Sequence, residues 1–316
     1  MSDLILHHYA TSPFSEKIRL VLGAKQLPWR GVSIPHIAPK PDLVALTGGY
    51  RRAPVLQVGS DLYCDTALIC DVLEHLQPEP PLYPEPEKGM ARVLAQWADS
   101  TLFWAAMAWN LQPRASQYLL AKSTPEQALA FARDRKAMSA TGMTRLRPED
   151  AAAAYKSYLR RLSDMLDDRP FLLGEAACIA DFAAYHPLWF TRTRVPVVAD
   201  ILQLTPAVVD WMDRMAAFGH GETSSLDAEG ALAIAAASLP KPLEGESFQD
   251  DHGIPLGCRV TVAAECFGTE PSEGELVAAT RMHLTIRRED PRAGVLHVHF
   301  PRVGYVLKAV EPAVAS

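Results

Sequence analysis

Cysteine is scarce and scattered. The five in 316 residues, at positions 64, 70, 178, 258 and 266, form no CxxC pair, which argues against a disulfide framework or a spaced zinc site and for reduced, mostly buried thiols in the cytoplasm. A strong excess of either charge is missing too: 31 Lys and Arg against 37 Asp and Glu leave a net charge of −6, and no lysine- or arginine-rich run supplies the footprint of a nucleic-acid binder. The start, Met1-Ser2-Asp3-Leu4, has neither a charged leader nor a long apolar stretch, so no signal peptide is expected. No uninterrupted apolar run approaches the ~18 residues needed to cross a membrane. Hydrophobic residues make up 48% and charged residues 22%, the balance of an ordinary globular protein, and the length suits two or three domains.

Two helix starts carry the chemistry. Ser12-Pro13-Phe14-Ser15-Glu16-Lys17 follows the short apolar run Leu4-Ile5-Leu6 and opens an amphipathic segment. Proline suits the first helical position because its missing N–H would be unpaired there, and Ser12 before it can cap the free N–H groups. A hydroxyl thus lies at a helix N-terminus, which favours an anion, a thiolate included. Further on, Ala53-Pro54-Val55-Leu56 is an apolar strand broken by a proline, which belongs at a sheet edge, a strand start or a cis bond. A turn and a short strand follow, and Asp65-Thr66 then caps a second helix with apolar residues at 68, 69, 72 and 73. Taken singly, each of these residues could be no more than a cap or an edge proline.

In this order and spacing, residues 3 to 78 resemble the amino-terminal, thioredoxin-like domain of the cytosolic glutathione transferases, of the type with serine at the thiol site. The resemblance implies that Ser12 faces the glutathione sulfur, with Tyr9 and Ser15 as alternatives, and that Pro54 is cis. It implies that the backbone of Val55 pairs with the cysteinyl part of glutathione, and that Asp65 and Thr66 hold the γ-glutamyl end. It also implies a homodimer with a cleft between two domains, glutathione as co-substrate, no metal, and a small hydrophobic electrophile as partner. Two other readings stay open: a non-catalytic glutathione-binding or assembly module, and a glutathione-dependent reductase or lyase, although serine cannot form the mixed disulfide that such a reductase needs.

The expected fold class is α+β in three parts: a thioredoxin-like domain over residues 1–78, an all-helical domain over 87–221 and a small antiparallel β domain over 240–316. A proline-rich linker, Gln77 to Pro86, separates the first two. Helical periodicity runs from Lys88 to about Gly219 and then fades. Phe103, Trp104, Met107 and Trp109 cluster on one predicted helix; Trp104 and Met107, with Phe14, are the candidate wall for the electrophile, although such clusters are commonly core. Cys178 stands three residues before Asp181, where the family carries a hydroxyl in a buried capping segment, so Asp181 is assigned to folding. From Arg259 onward apolar and polar residues alternate as in strands, with turns at 268–271 and 290–294. His297 and His299 share one strand face; with no cysteine or carboxylate at ligand spacing, they are expected to face solvent. A role for this third part as packing support, dimer support or a lid over the cleft rests only on its position.

Overall fold

The computed structural model describes residues 3–139, 146–243, 248 and 251–310. The thioredoxin-like unit forms as the sequence implies: β1 (Leu4–His8), α1 (Pro13–Ala24), β2 (Trp29–Ser33), α2 (Pro41–Thr47), β3 (Val55–Val58), β4 (Asp61–Cys64) and α3 (Thr66–Leu76). β1 pairs in parallel with β2 and antiparallel with β3, which turns back into β4. The helical part comprises α4 (Lys88–Trp97), α5 (Phe103–Asn110), α6 (Pro113–Leu120), α7 (Pro125–Met138), α8 (Pro148–Met165), α9 (Ile179–Trp189) and α10 (Pro206–Ala216). Thr124 caps α7 by accepting from Gln127 N, while Gln127 reaches back to Thr124 N.

Beyond α10 the chain departs from the sequence reading in two ways. Helical structure does not end near Gly219: after the short β5 (Thr223–Ser225), which pairs in parallel with β2, comes α11 (Ala228–Ala236), capped by Asp227. This segment is mostly alanine, a strong helix former, and lacks the polar stripe by which an amphipathic helix is recognised. The second departure concerns β6 (Arg259–Ala264), β7 (Ser272–Ala279), β8 (His283–Asp290), β9 (Gly294–Pro301) and β10 (Tyr305–Ala309). They pair antiparallel among themselves, as the alternation implies, but do not form a sheet of their own. β9 lies parallel to β4, giving one ten-stranded sheet in the order β10-β6-β7-β8-β9-β4-β3-β1-β2-β5. Residues 244–247, 249–250 and 311–316 of the expected third part lie outside the described residues.

One core joins a face of the sheet to the helical part through Leu6, Ile18, Leu73, Phe182 and Trp211, and a second lies on the other face, where Leu62, Val298 and Phe300 meet Leu43 and Leu232. Among the described residues no helix is long and apolar enough to cross a membrane.

Candidate functional site

At the start of α1 the Ser12 side chain accepts a hydrogen bond from Ser15 N at 3.2 Å. A hydroxyl that accepts in this way keeps its own proton to donate, which is what a bound thiolate requires. The two alternatives are placed differently. Ser15 is fully buried, and its Oγ has no hydrogen-bond partner among the described residues. Tyr9 turns toward the segment before α2, with its ring 4.6 Å from that of His36 and beneath Lys40 Nζ.

The peptide before Pro54 is cis, and Val55, fully buried, pairs with His7 on β1 and Cys64 on β4. Asp65 then caps α3 with Oδ1 accepting from Ala67 N at 3.0 Å, and its backbone sits at φ 75°. A non-glycine residue there costs on the order of 1–3 kcal/mol, a strain that concentrates at ligand sites. The rest of its carboxylate faces the carboxy-terminal strands: Tyr305 donates to Asp65 Oδ2 at 3.1 Å, and the Arg52 guanidinium lies 3.9 Å away. Burial pushes the Tyr305 hydroxyl above its usual range, so it stays a donor.

Thr66 is occupied from below. Its Oγ1 accepts from Lys17 Nζ at 3.2 Å, and the same ammonium meets Asp99 Oδ2 at 2.5 Å; Asp99 Oδ1 is 2.9 Å from His186 Nε2. Burial is the largest influence on Lys17 and pulls it down, but the charge and hydrogen bond of Asp99 together with nearby Cys70 and Asp65 carry it up; burial likewise pushes Asp99 up, but Lys17 and His186 together carry it down. Burial lowers His186, leaving it neutral. This ion pair links the first helix to the helical part directly beneath the Thr66 hydroxyl.

The candidate wall divides. Met107 is buried in the core, and Phe14 is wedged between the rings of Phe103 and His186 at 4.7 and 4.5 Å. Trp104 is half-buried and packs edge-on against Phe267, 5.1 Å away in the turn between β6 and β7. That turn also ties to Arg52, which donates to the Phe267 and Cys266 carbonyls, and to Met138, whose carbonyl accepts from Gly268 N. Arg51 pairs with Asp134 and Glu270. The carboxy-terminal strands therefore reach both the Asp65 carboxylate and the tryptophan of the candidate wall.

Sequence reasoning missed Lys17, Asp99, His186, Arg52 and Tyr305. Lys17 alone left a signal: it stands at helical spacing from Phe14 and Val21, on the face that packs inward. Two of the chain's thiols are excluded as nucleophiles here: burial raises Cys64 and pushes Cys70 up to about 12.

The expectation that His297 and His299 face solvent is corrected. His299 is buried and His297 nearly so, because the parallel pairing of β9 with β4 lays Asp61 opposite His297 and Tyr63 opposite His299. A carboxylate does join them, from a strand that sequence spacing could not connect.

The chain matches the glutathione S-transferase N-terminal domain over residues 6–81 and the glutathione S-transferase C-terminal domain over residues 130–214. A GST-like protein from Pseudomonas syringae is 41% identical, with a TM-score of 0.81 covering 98% of this chain and all of that one. The chain is 26% identical over 184 residues to FtsZ-localized protein A of Caulobacter vibrioides, covering 57% of this chain and 73% of that protein. It is 32% identical over 88 residues to pyrimidodiazepine synthase of Drosophila melanogaster, covering 26% and 36%.

Proposed function

The chain belongs to the glutathione S-transferase family, and from that premise we propose that it binds glutathione at the α1 and α3 N-termini and activates its thiol for addition to a hydrophobic electrophile. The observation that carries this reading is Asp65, a non-glycine residue held at φ 75° with its carboxylate at a helix start. Its two oxygens have lone pairs beyond those used by Ala67 N and Tyr305, enough to receive an ammonium such as the γ-glutamyl amine. The Val55 role that the resemblance implies would need a free backbone group, whereas β1 and β4 flank Val55 on both sides. Ser12 lies at the helix start toward which the sulfur would point.

Activation needs a definite amount of energy. A cysteine thiol near pKa ~8.5 is only a few per cent ionised at neutral pH. Lowering it by about two units takes about 2.7 kcal/mol. A hydrogen bond to a charged group contributes ~1.5–3 kcal/mol and a helix N-terminus up to ~2, so Ser12 and α1 together suffice. Ser12 stabilises the thiolate and does not attack; proximity supplies much of the remaining rate. The free thiols fit a cytoplasmic protein, and a homodimer is the assembly the family resemblance implies.

The test is an ultraviolet difference titration of bound glutathione against pH. Thiolate is expected well below the pKa of the free thiol, and Ser12→Ala should move its appearance up by about 1–2 pH units. Thiolate unchanged in Ser12→Ala but lost in Tyr9→Phe would transfer the role to Tyr9. A second reading, binding without turnover, is favoured by the β6–β7 turn packed onto Trp104; it predicts that glutathione binds but stays protonated.

Tyr305 gives a separate prediction. Tyr305→Phe removes a donor to Asp65 worth ~1.5–3 kcal/mol and leaves the ring packing intact, so glutathione affinity should fall roughly tenfold or more by titration calorimetry. An unchanged affinity would mean that β10 merely lies beside the site.

A further inference from the structure

We propose that Asp61, His297 and His299 form a binding site for one divalent transition-metal ion of the zinc type, at the seam where β9 joins β4. Strand alternation puts all three on one face of the sheet, since Asp61 pairs with His297 and Tyr63 with His299. His299 Nε2 lies 3.0 Å and His297 Nδ1 3.8 Å from Asp61 Oδ1, and the three donor atoms all lie within 4.8 Å of one another. Ligands about 2.0–2.2 Å from a tetrahedral zinc stand roughly 3.3–3.5 Å apart, so small side-chain rotations close the set on an ion.

The surroundings are those of a ligand set. His297 Nδ1 is buried with no hydrogen-bond partner among the described residues, a lone pair or proton with nothing to meet. Thr285 Oγ1 lies 2.9 Å from His299 Nδ1 and can accept its proton, which leaves Nε2 as the metal donor. Lys241 N donates to Asp61 Oδ2 at 3.0 Å, orienting Oδ1 toward the histidines. The Tyr63 ring stacks on His299 at 4.5 Å and 13° and fixes its plane. Two imidazoles and one carboxylate suit zinc, cobalt, nickel or ferrous iron and not calcium or magnesium, and a three-residue set leaves a coordination position for water. The site is separate from the glutathione residues: Asp61 opens β4, and Asp65 follows its far end, about 13 Å along the chain at strand rise. A bound ion would fasten the amino-terminal strands to the carboxy-terminal ones.

The experiment uses the full chain, stripped with a chelator and titrated with Zn²⁺ by calorimetry and with Co²⁺ by visible absorption. One equivalent per chain, a four- or five-coordinate cobalt band and a higher melting temperature are expected. His297→Ala should abolish the band. Thr285→Val, which keeps the fold and both histidines, should weaken affinity about 10–100-fold. No stoichiometric binding by the parent chain, or equal binding by His297→Ala, overturns the site; should His297→Ala fail to fold, equal binding by Thr285→Val does so. The glutathione difference spectrum of the same variants should not move, so failure here is distinct from failure of the transferase reading.

Discussion

Replacing Lys17 with methionine is expected to destabilise the protein by about 3–5 kcal/mol, the cost of leaving a buried charge without its partner. The Lys17 side chain is 1% exposed and that of Asp99 19%, with 2.5 Å between Nζ and Oδ2. Methionine fills much the same volume, so the loss falls on the Asp99 carboxylate, which retains only a neutral His186. The pair also sets a pH dependence. Asp99 is depressed in the folded protein, so its contribution is present above the unfolded carboxylate value near ~3.9 and is lost as pH falls through the folded one. Lys17 is raised, so its contribution is complete below the unfolded lysine value near ~10.4 and is lost as pH rises through the folded one. In Lys17→Met the lone Asp99 favours protonation of itself or of His186, and the stability gap to the parent should narrow as pH falls from 7 toward 5. Denaturant melts across this range measure it. A loss under ~1 kcal/mol that does not vary with pH would show that water or another cation reaches Asp99. Adding Asp99→Leu should recover much of the stability, because replacing both partners avoids the lone charge.

What could be read from the sequence was local chemistry. The Ser12-Pro13 start and the Asp65 cap each depend on residues within four positions, and each stands where the sequence puts it. What could not be read was the choice of partners. Alternation fixes which face of β9 carries His297 and His299 but not which strand lies beside it. Asp61 is 238 residues from His299 in the chain, so the histidines looked solvated until β4 supplied a carboxylate. Tyr305, on β10, meets Asp65 across 240 positions of the chain, a contact that no local pattern announces. Lys17 was hidden for another reason: its charge suggests solvent, whereas its helical face points inward, and only Asp99 reconciles the two. The roles given to Ser12, Val55, Asp65 and Thr66 come from the family pattern, and their chemistry awaits the thiolate titration.

Asp181→Ala is expected to cost about 3–6 kcal/mol, a large share of the ~5–15 kcal/mol that holds a typical domain together. The carboxylate is fully buried and accepts three hydrogen bonds: from Leu172 N at 2.9 Å, Cys178 N at 3.0 Å and Trp211 Nε1 at 2.9 Å. Alanine strands all three donors, each costing ~1–3 kcal/mol when unsatisfied, and leaves a cavity that lets part of the loss relax. The three donors come from the loop before α9, the cap of α9 and the middle of α10, so one side chain fastens three segments. Asp181→Asn should fall between parent and alanine variant, because an amide oxygen serves one side of the site while its NH₂ meets another donor. Cys178→Ser, by contrast, should change stability by less than ~1 kcal/mol in either direction: a hydroxyl caps better than a thiol but fills less of a buried space. Urea melts followed by far-ultraviolet circular dichroism test the series. If Asp181→Ala lost no more than Cys178→Ser, the capping geometry would be incidental and the apolar packing of Phe182 and Trp211 alone would hold α9 against α10. A loss ordered alanine, asparagine, parent would instead show that α9, which packs against α1 and carries His186 to Asp99, is positioned by a buried charge.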